Sequence, residues 1–274
     1  MFKLSPHLCL VAIGLLLLPA ATARAAQPVS QTVSLDRLYQ PAGEPWFVAI
    51  PQGWIRADNS LVTDLNATAR AQYGERAPQY TAAFVSDPED GSYALLQIQP
   101  GMPPGASYAD VRTGFDVAPA NMRGEMSDQS IADVLKTMKF GESTLDTARN
   151  RVVRGFEVTQ PDGKKLKATT VSYLGASKVV SLHCYAPADE FAAKQAAFQD
   201  LFDGFHFKDG ESFAPGAGLG TGFSYARIML GGIVGLVGGV AAAAVLIGIK
   251  KRRAGGAGGS GGAGGAADGG EGGR

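Results

Sequence analysis

Arg151–Tyr185, RVVRGFEVTQPDGKKLKATTVSYLGASKVVSLHCY, is the stretch whose reading decides the fold. Arg151–Thr159 and Lys165–Tyr173 are rich in β-branched and aromatic residues, and Pro161-Asp162-Gly163 supplies a turn between them. Lys178–Tyr185 follows Gly175-Ala176-Ser177 as a third strand. Three strands joined by two tight turns make an antiparallel meander. Along Val179–Tyr185, side chains alternate between the two faces. Val180, Leu182 and Cys184 share one face, and Val179, Ser181, His183 and Tyr185 the other.

Working toward the C-terminus, Pro187-Ala188-Asp189-Glu190 opens an amphipathic helix with Phe191, Phe198, Leu201, Phe202 and Phe205 as its apolar stripe. A last strand is expected over Phe205–Phe207. Toward the N-terminus, Gln27–Gly43 is a mixed lead-in with a short element near Leu35–Tyr39. Trp46–Ile50 has strand composition and is closed by Pro51-Gln52-Gly53. After Asp58-Asn59-Ser60, the residues Leu61, Val62, Leu65, Ala69 and Tyr73 recur at helical spacing until Gly74. Tyr80–Ser86 and Tyr93–Gln99 flank a Pro/Asp/Gly loop as a hairpin. Tyr108–Phe115 is expected as a short helix. Ser127–Lys139 is expected as a longer one, with Ser130-x-x-Asp133 as capping box and Gly141 as stop. Interspersed helices and hairpins give an α+β fold, one antiparallel sheet with helices packed on it.

The aromatic strand entering Ile50-Pro51-x-Gly53-Trp54, the hairpin, the meander and the final helix ending Phe202-x-x-Phe205-His206-Phe207 together resemble the PsbP-like/DcrB-like superfamily. The resemblance covers about Trp46–Lys208. It implies an exported α/β/α sandwich that binds or helps assemble a partner without catalysis, and it carries no site residues over. Those relatives are commonly free or lipid-anchored, whereas this chain carries a C-terminal hydrophobic segment.

That segment, Ile228–Ile249, has no charged residue and runs into Lys250, Lys251, Arg252 and Arg253. As a helix it would cover roughly 33 Å, enough for a bilayer core of about 30 Å. Lys3, the apolar run Leu8–Leu18 and Ala21-x-Ala23-x-Ala25 form a leader expected to be cleaved after Ala25 or Ala26. The expected organisation is a signal peptide over 1–26, a periplasmic domain over 27–213 and a Gly/Pro linker over 214–227. The transmembrane helix follows over 228–249, then a basic flank and Gly-rich cytoplasmic tail over 250–274. The basic cluster sets the orientation by the positive-inside rule, on a bacterial inner membrane. Gly231, Gly235, Gly239 and Ala243 recur every four residues and would let a second helix approach closely. The alternative is that small residues are simply common in such helices. A cleaved C-terminal sorting signal is the other reading of this region.

The whole chain carries 25 basic and 25 acidic residues, but between Gln27 and Phe213 there are 17 Lys and Arg against 23 Asp and Glu. A domain of net charge −6 speaks against nucleic acid as a partner. With Cys9 in the leader, Cys184 stands alone and no internal disulfide forms. Neighbouring strand residues point apart, so His183 is not placed to activate Cys184. His183 and His206 with one Cys fall short of a Cys/His zinc site, and no Gly-x-Ser-x-Gly or phosphate loop occurs. Asp87–Gly91 offers turn chemistry rather than calcium spacing, and Asn66-Ala67-Thr68 matches a glycosylation sequon. No catalytic, cofactor or metal residue is assigned. The expected partners are the inner-membrane lipid bilayer, a second copy or another transmembrane helix, and an envelope protein. The alternative function is a small-ligand module with a pocket between sheet and helix, and an enzyme is the third.

Overall fold

A computed structural model describes residues 37–74, 77–86, 92–125, 137–159 and 163–218. The leader, the segment Ile228–Ile249 with Gly231, Gly235, Gly239 and Ala243, the cluster Lys250–Arg253, and the loop Asp87–Gly91 lie outside these residues. Among the described residues no helix is long and apolar enough to cross a membrane.

The meander is present as expected. Strands β7 (Arg151–Thr159), β8 (Lys165–Leu174) and β9 (Lys178–Pro187) pair antiparallel along their full lengths. On one side β6 (Lys139–Asp146) adds to β7, with a bulge between Phe140 and Ser143. On the other side β5 (Tyr93–Pro100), β4 (Tyr80–Val85) and the two-residue β3 (Ile55–Arg56) continue the sheet. The result is a seven-stranded antiparallel sheet in the order β3-β4-β5-β9-β8-β7-β6.

A second sheet of three strands lies apart from it, where one sheet was expected. It consists of β1 (Leu38–Tyr39), β2 (Trp46–Ala49) and β10 (Phe205–Phe207), with β2 in the middle. Its register places Phe205 opposite Val48 and Phe207 opposite Trp46. Pairing of segments so far apart in the chain depends on a shared core, and Trp46, Val48 and Phe205 are all buried. The approach is close enough that a Cβ on Gly204 would sit 2.3 Å from the Ala49 carbonyl oxygen.

Three helices are described. α1 (Asn59–Tyr73) buries Val62, Leu65 and Ala69 and ends at Gly74, whose φ of 63° suits glycine. α2 (Tyr108–Glu125) runs well past the expected end at Phe115. It opens with a reciprocal cap: the Ser107 N–H donates to Asp110 Oδ2 at 2.8 Å, and the Asp110 N–H donates to Ser107 Oγ at 3.2 Å. α3 (Phe191–Asp203) buries Phe198, Leu201 and Phe202. The helix expected over Ser127–Lys139 falls mostly outside the described residues, and Lys139 itself begins β6.

The large sheet separates two cores. Val62 and Leu65 from α1 and Val111 from α2 pack with Tyr93, Leu95, Phe156 and Tyr185 on one face. On the other, Phe198, Leu201 and Phe202 from α3 join Trp46, Val48 and Phe205 from the small sheet over Phe84, Leu96, Leu182 and Cys184. The alternation expected for β9 is reproduced: Val180, Leu182 and Cys184 belong to the second core, Val179 and Tyr185 to the first.

After β10 the chain forms a strap. Phe213 is buried, and its ring meets Tyr108 edge-on at 5.6 Å. Phe213 N–H donates to the Leu174 carbonyl at 3.0 Å, and Ala176 N–H to that of Glu211 at 2.8 Å. Beyond Phe213 the backbone stays attached, with Gly216 N–H donating to Ala106 O at 2.7 Å and Gly218 N–H to Gly105 O at 2.9 Å.

Candidate functional site

The first face of the large sheet is not uniformly apolar. The register aligns Arg154, Thr170, His183 and Leu95 across four strands, and Val152, Ser172, Ser181 and Gln97 in the next row. Six of these side chains are polar, and all six are buried. They lie in the middle of a face whose flanks carry Tyr93, Phe156 and Tyr185, with Tyr93 and Tyr185 stacked at 4.8 Å.

Most of the row satisfies itself. His183 Nε2 lies 3.2 Å from Gln97 Oε1, and Nδ1 lies 2.9 Å from Thr170 Oγ1. An amide oxygen only accepts, so the proton sits on Nε2 and Thr170 donates to Nδ1. Burial holds the imidazole neutral by lowering its pKa to about 3. Ser172 and Ser181 share a hydrogen bond of 2.9 Å. A neutral, fully partnered imidazole without a carboxylate neighbour orders the strands and is no general base at neutral pH.

Arg154 differs. One Nη2–H donates to the Phe115 carbonyl of α2, and Asp116 Oδ1 lies 3.9 Å away. Burial lowers its pKa, and Asp116 opposes that shift. Its Nε–H has no hydrogen-bond partner among the described residues, and neither has Gln99 Nε2. Two buried donors without acceptors are uncommon in a folded interior.

Cys184 lies on the opposite face, fully buried, its thiol pKa pushed up by burial. The structure therefore keeps His183 and Cys184 apart, as the alternation implied. His206 is exposed on the small sheet against Phe47 at 5.3 Å and belongs to a different layer from His183. No group of three metal-ligating side chains occurs among the described residues.

Two other polar sites are structural. Asn66 Nδ2 donates to the Tyr80 carbonyl at 2.9 Å and its Oδ1 accepts the Tyr80 N–H at 2.8 Å. The amide of the Asn66-Ala67-Thr68 sequon thus behaves as a strand partner for the start of β4. Arg151 is ion-paired with Asp146 and Asp203, each at 3.2 Å, which ties the β6–β7 turn to the end of α3.

The polar row was not singled out from sequence. Its signal is that Gln97 and Gln99 keep the inward phase of Tyr93 and Leu95.

No protein-family profile and no curated protein matches the chain. Among solved structures it is similar to cyanobacterial PsbP from Synechocystis, at 14% identity over 64% of this chain and 95% of that one, with a TM-score of 0.40. It is also similar to the Ran-binding protein Mog1p of Saccharomyces cerevisiae, at 10% identity over 63% of this chain and 95% of that one, with a TM-score of 0.33. These identities and scores describe a weak likeness of fold, PsbP-like in kind, and nothing finer.

Proposed function

We propose that this chain is a binding or assembly-assisting protein without catalytic activity. It is anchored by Ile228–Ile249 in a bacterial inner membrane, its folded domain is periplasmic, and Lys250, Lys251, Arg252 and Arg253 lie in the cytoplasm. The observation that carries the non-catalytic reading is the fate of His183 and Cys184. One is neutral and fully hydrogen-bonded within the first face, the other sealed in the second core. Neither reaches solvent or the other, so they cannot work as a nucleophile and base.

The anchor also supplies contacts in this reading. Gly231, Gly235, Gly239 and Ala243 form a smooth stripe for a second copy or a partner's transmembrane helix. The test is crosslinking in intact cells, with identification of captured envelope proteins, for the wild type and for Gly235→Leu with Gly239→Leu. Partner-specific capture, weakened in the double variant, is expected. No specific partner with either chain would overturn the proposal.

A second reading is a ligand-binding module with its pocket between the sheet and α2. It is favoured by the unpartnered donor Arg154 Nε, on a side chain that also reaches the Phe115 carbonyl of α2, which would suit a ligand bearing an acceptor oxygen rather than a purely apolar one. Native mass spectrometry of the purified protein distinguishes the two: a stoichiometric bound small molecule would favour this reading over the first.

A further inference from the structure

The strands give the domain two distinct ends. At one end lie the β8–β9 turn, the loop leading into α2 and the β6–β7 turn. There Pro100 stands opposite Lys178, Leu174 opposite Val179, and Asp146 opposite Arg151. At the other end lie the β7–β8 tip, where Thr159 meets Lys165, and the β9–α3 corner, where Leu166 meets Pro187. Ten-residue strands such as β9 separate these ends by about 30 Å.

The strap fixes where the chain leaves. Four backbone hydrogen bonds hold Lys208–Gly218 to the first end: those made with Leu174 and Ala176, which form the antiparallel bridge between Gly175 and Ser212, and those made with Ala106 and Gly105. Gly216 runs so close to the α2 loop that a Cβ would lie 2.5 Å from Gly105 Cα. Gly101 is sewn to the same turn, donating to Ser177 O at 2.9 Å, with a Cβ there only 2.4 Å from Ser177 carbonyl carbon. The exit point is therefore a fixed feature of this end, made of backbone that cannot yield to a side chain.

From Gly218 to Ile228 the chain advances ten residues. Even fully extended, that length spans at most about 36 Å. Turning the domain over would lift the exit by its own length of about 30 Å, using nearly the whole tether and forfeiting its conformational freedom.

We propose that the domain is held with this end, comprising Pro100–Ser107, Gly175–Lys178 and the strap, facing the lipid surface. The opposite end, with Lys165 and the exposed Asp189–Glu190 corner, then points away from the bilayer. This rests on the reading of Ile228–Ile249 as the membrane span. The strap sets where the tether begins, at this end of the domain, and ten residues carry the chain from Gly218 to Ile228.

The test uses the mature chain from Gln27 to Arg274, without the cleaved leader, in phosphatidylcholine–phosphatidylglycerol vesicles carrying a headgroup-linked energy acceptor. A donor fluorophore is placed at Ser177→Cys or at Asp189→Cys in this chain, which has lost Cys9 and whose Cys184 is too buried to label. Transfer from the Ser177 position is expected to exceed that from the Asp189 position by about twofold or more, given their separation of about 30 Å. Inserting about twenty Gly/Ser residues after Gly218 is expected to abolish the difference while the protein still floats with the vesicles. Equal or reversed transfer in a protein that floats overturns the orientation and leaves the anchor standing. A difference that survives the insertion overturns the tether as its cause. Failure to float overturns the anchor, and the orientation with it.

Discussion

The two faces of the large sheet are built from the same strands yet differ in chemistry. The core under α3 and the small sheet is aromatic and aliphatic, with Trp46 stacked on Phe205 at 5.7 Å and Tyr173 on Phe205 at 4.0 Å, and the buried Arg151 stands at its margin, paired with Asp203. The face under α1 and α2 carries Gln97, Thr170, Ser172, Ser181, His183 and Arg154 across its middle. The difference teaches that one face supplies stability through area and packing. The other gives up apolar area for directed hydrogen bonds, which fix strand register and leave donors over.

The largest expected effect comes from the aromatic face. Trp46 is fully buried, so Trp46→Ala should destabilise the domain by about 3–5 kcal/mol in urea unfolding. A loss below about 1 kcal/mol would break the assignment of stability to that face.

The polar face should reveal itself through pH. His183 titrates near 6.5 when unfolded and near 3 when folded, so between these values the unfolded state binds more protons. Its contribution to stability is fully present above pH 6.5 and is lost progressively as pH falls toward 3. Between pH 7 and pH 5 the wild type should lose about 2 kcal/mol from this group, and His183→Gln should lack that component. Parallel pH profiles for the two proteins would contradict a neutral, buried His183.

Asn66 sharpens the comparison at the sheet's margin. Asn66→Ala removes both hydrogen bonds to the Tyr80 backbone and should cost about 1 kcal/mol. Proton exchange at Tyr80 should accelerate. The smallest effect is expected for Arg149→Ala, whose pair with Asp203 at 3.4 Å is exposed on both sides and contributes about 0.5 kcal/mol or less.

Much of the domain was legible because its signals are local. The meander announced itself through turn residues and strand composition, and α1 through the spacing of Val62, Leu65 and Ala69 and the stop at Gly74. The facing of His183 and Cys184 followed from alternation alone. What escaped depends on distant partners. β6, with the sequence KFGESTLD, has a glycine, a bulge and no clean alternation, as an edge strand can. α2 continues through Gly114 and Pro119, which argue locally for a stop. The second sheet needs Phe205–Phe207 to find Trp46–Val48, and no local pattern encodes that. The polar row exists only once β5, β9, β8 and β7 are in register, so its members looked like scattered strand polars.

The central claim is that the domain works by binding, with its chemistry-bearing side chains serving the fold. It is tested most directly by crosslinking the full chain in intact cells, comparing the wild type with His183→Gln and Cys184→Ala together. Capture of the same envelope partners at similar yield, through residues of the folded domain, is the predicted result. Loss of specific capture in the double variant while the domain remains folded, or no specific partner with the wild type, would contradict it.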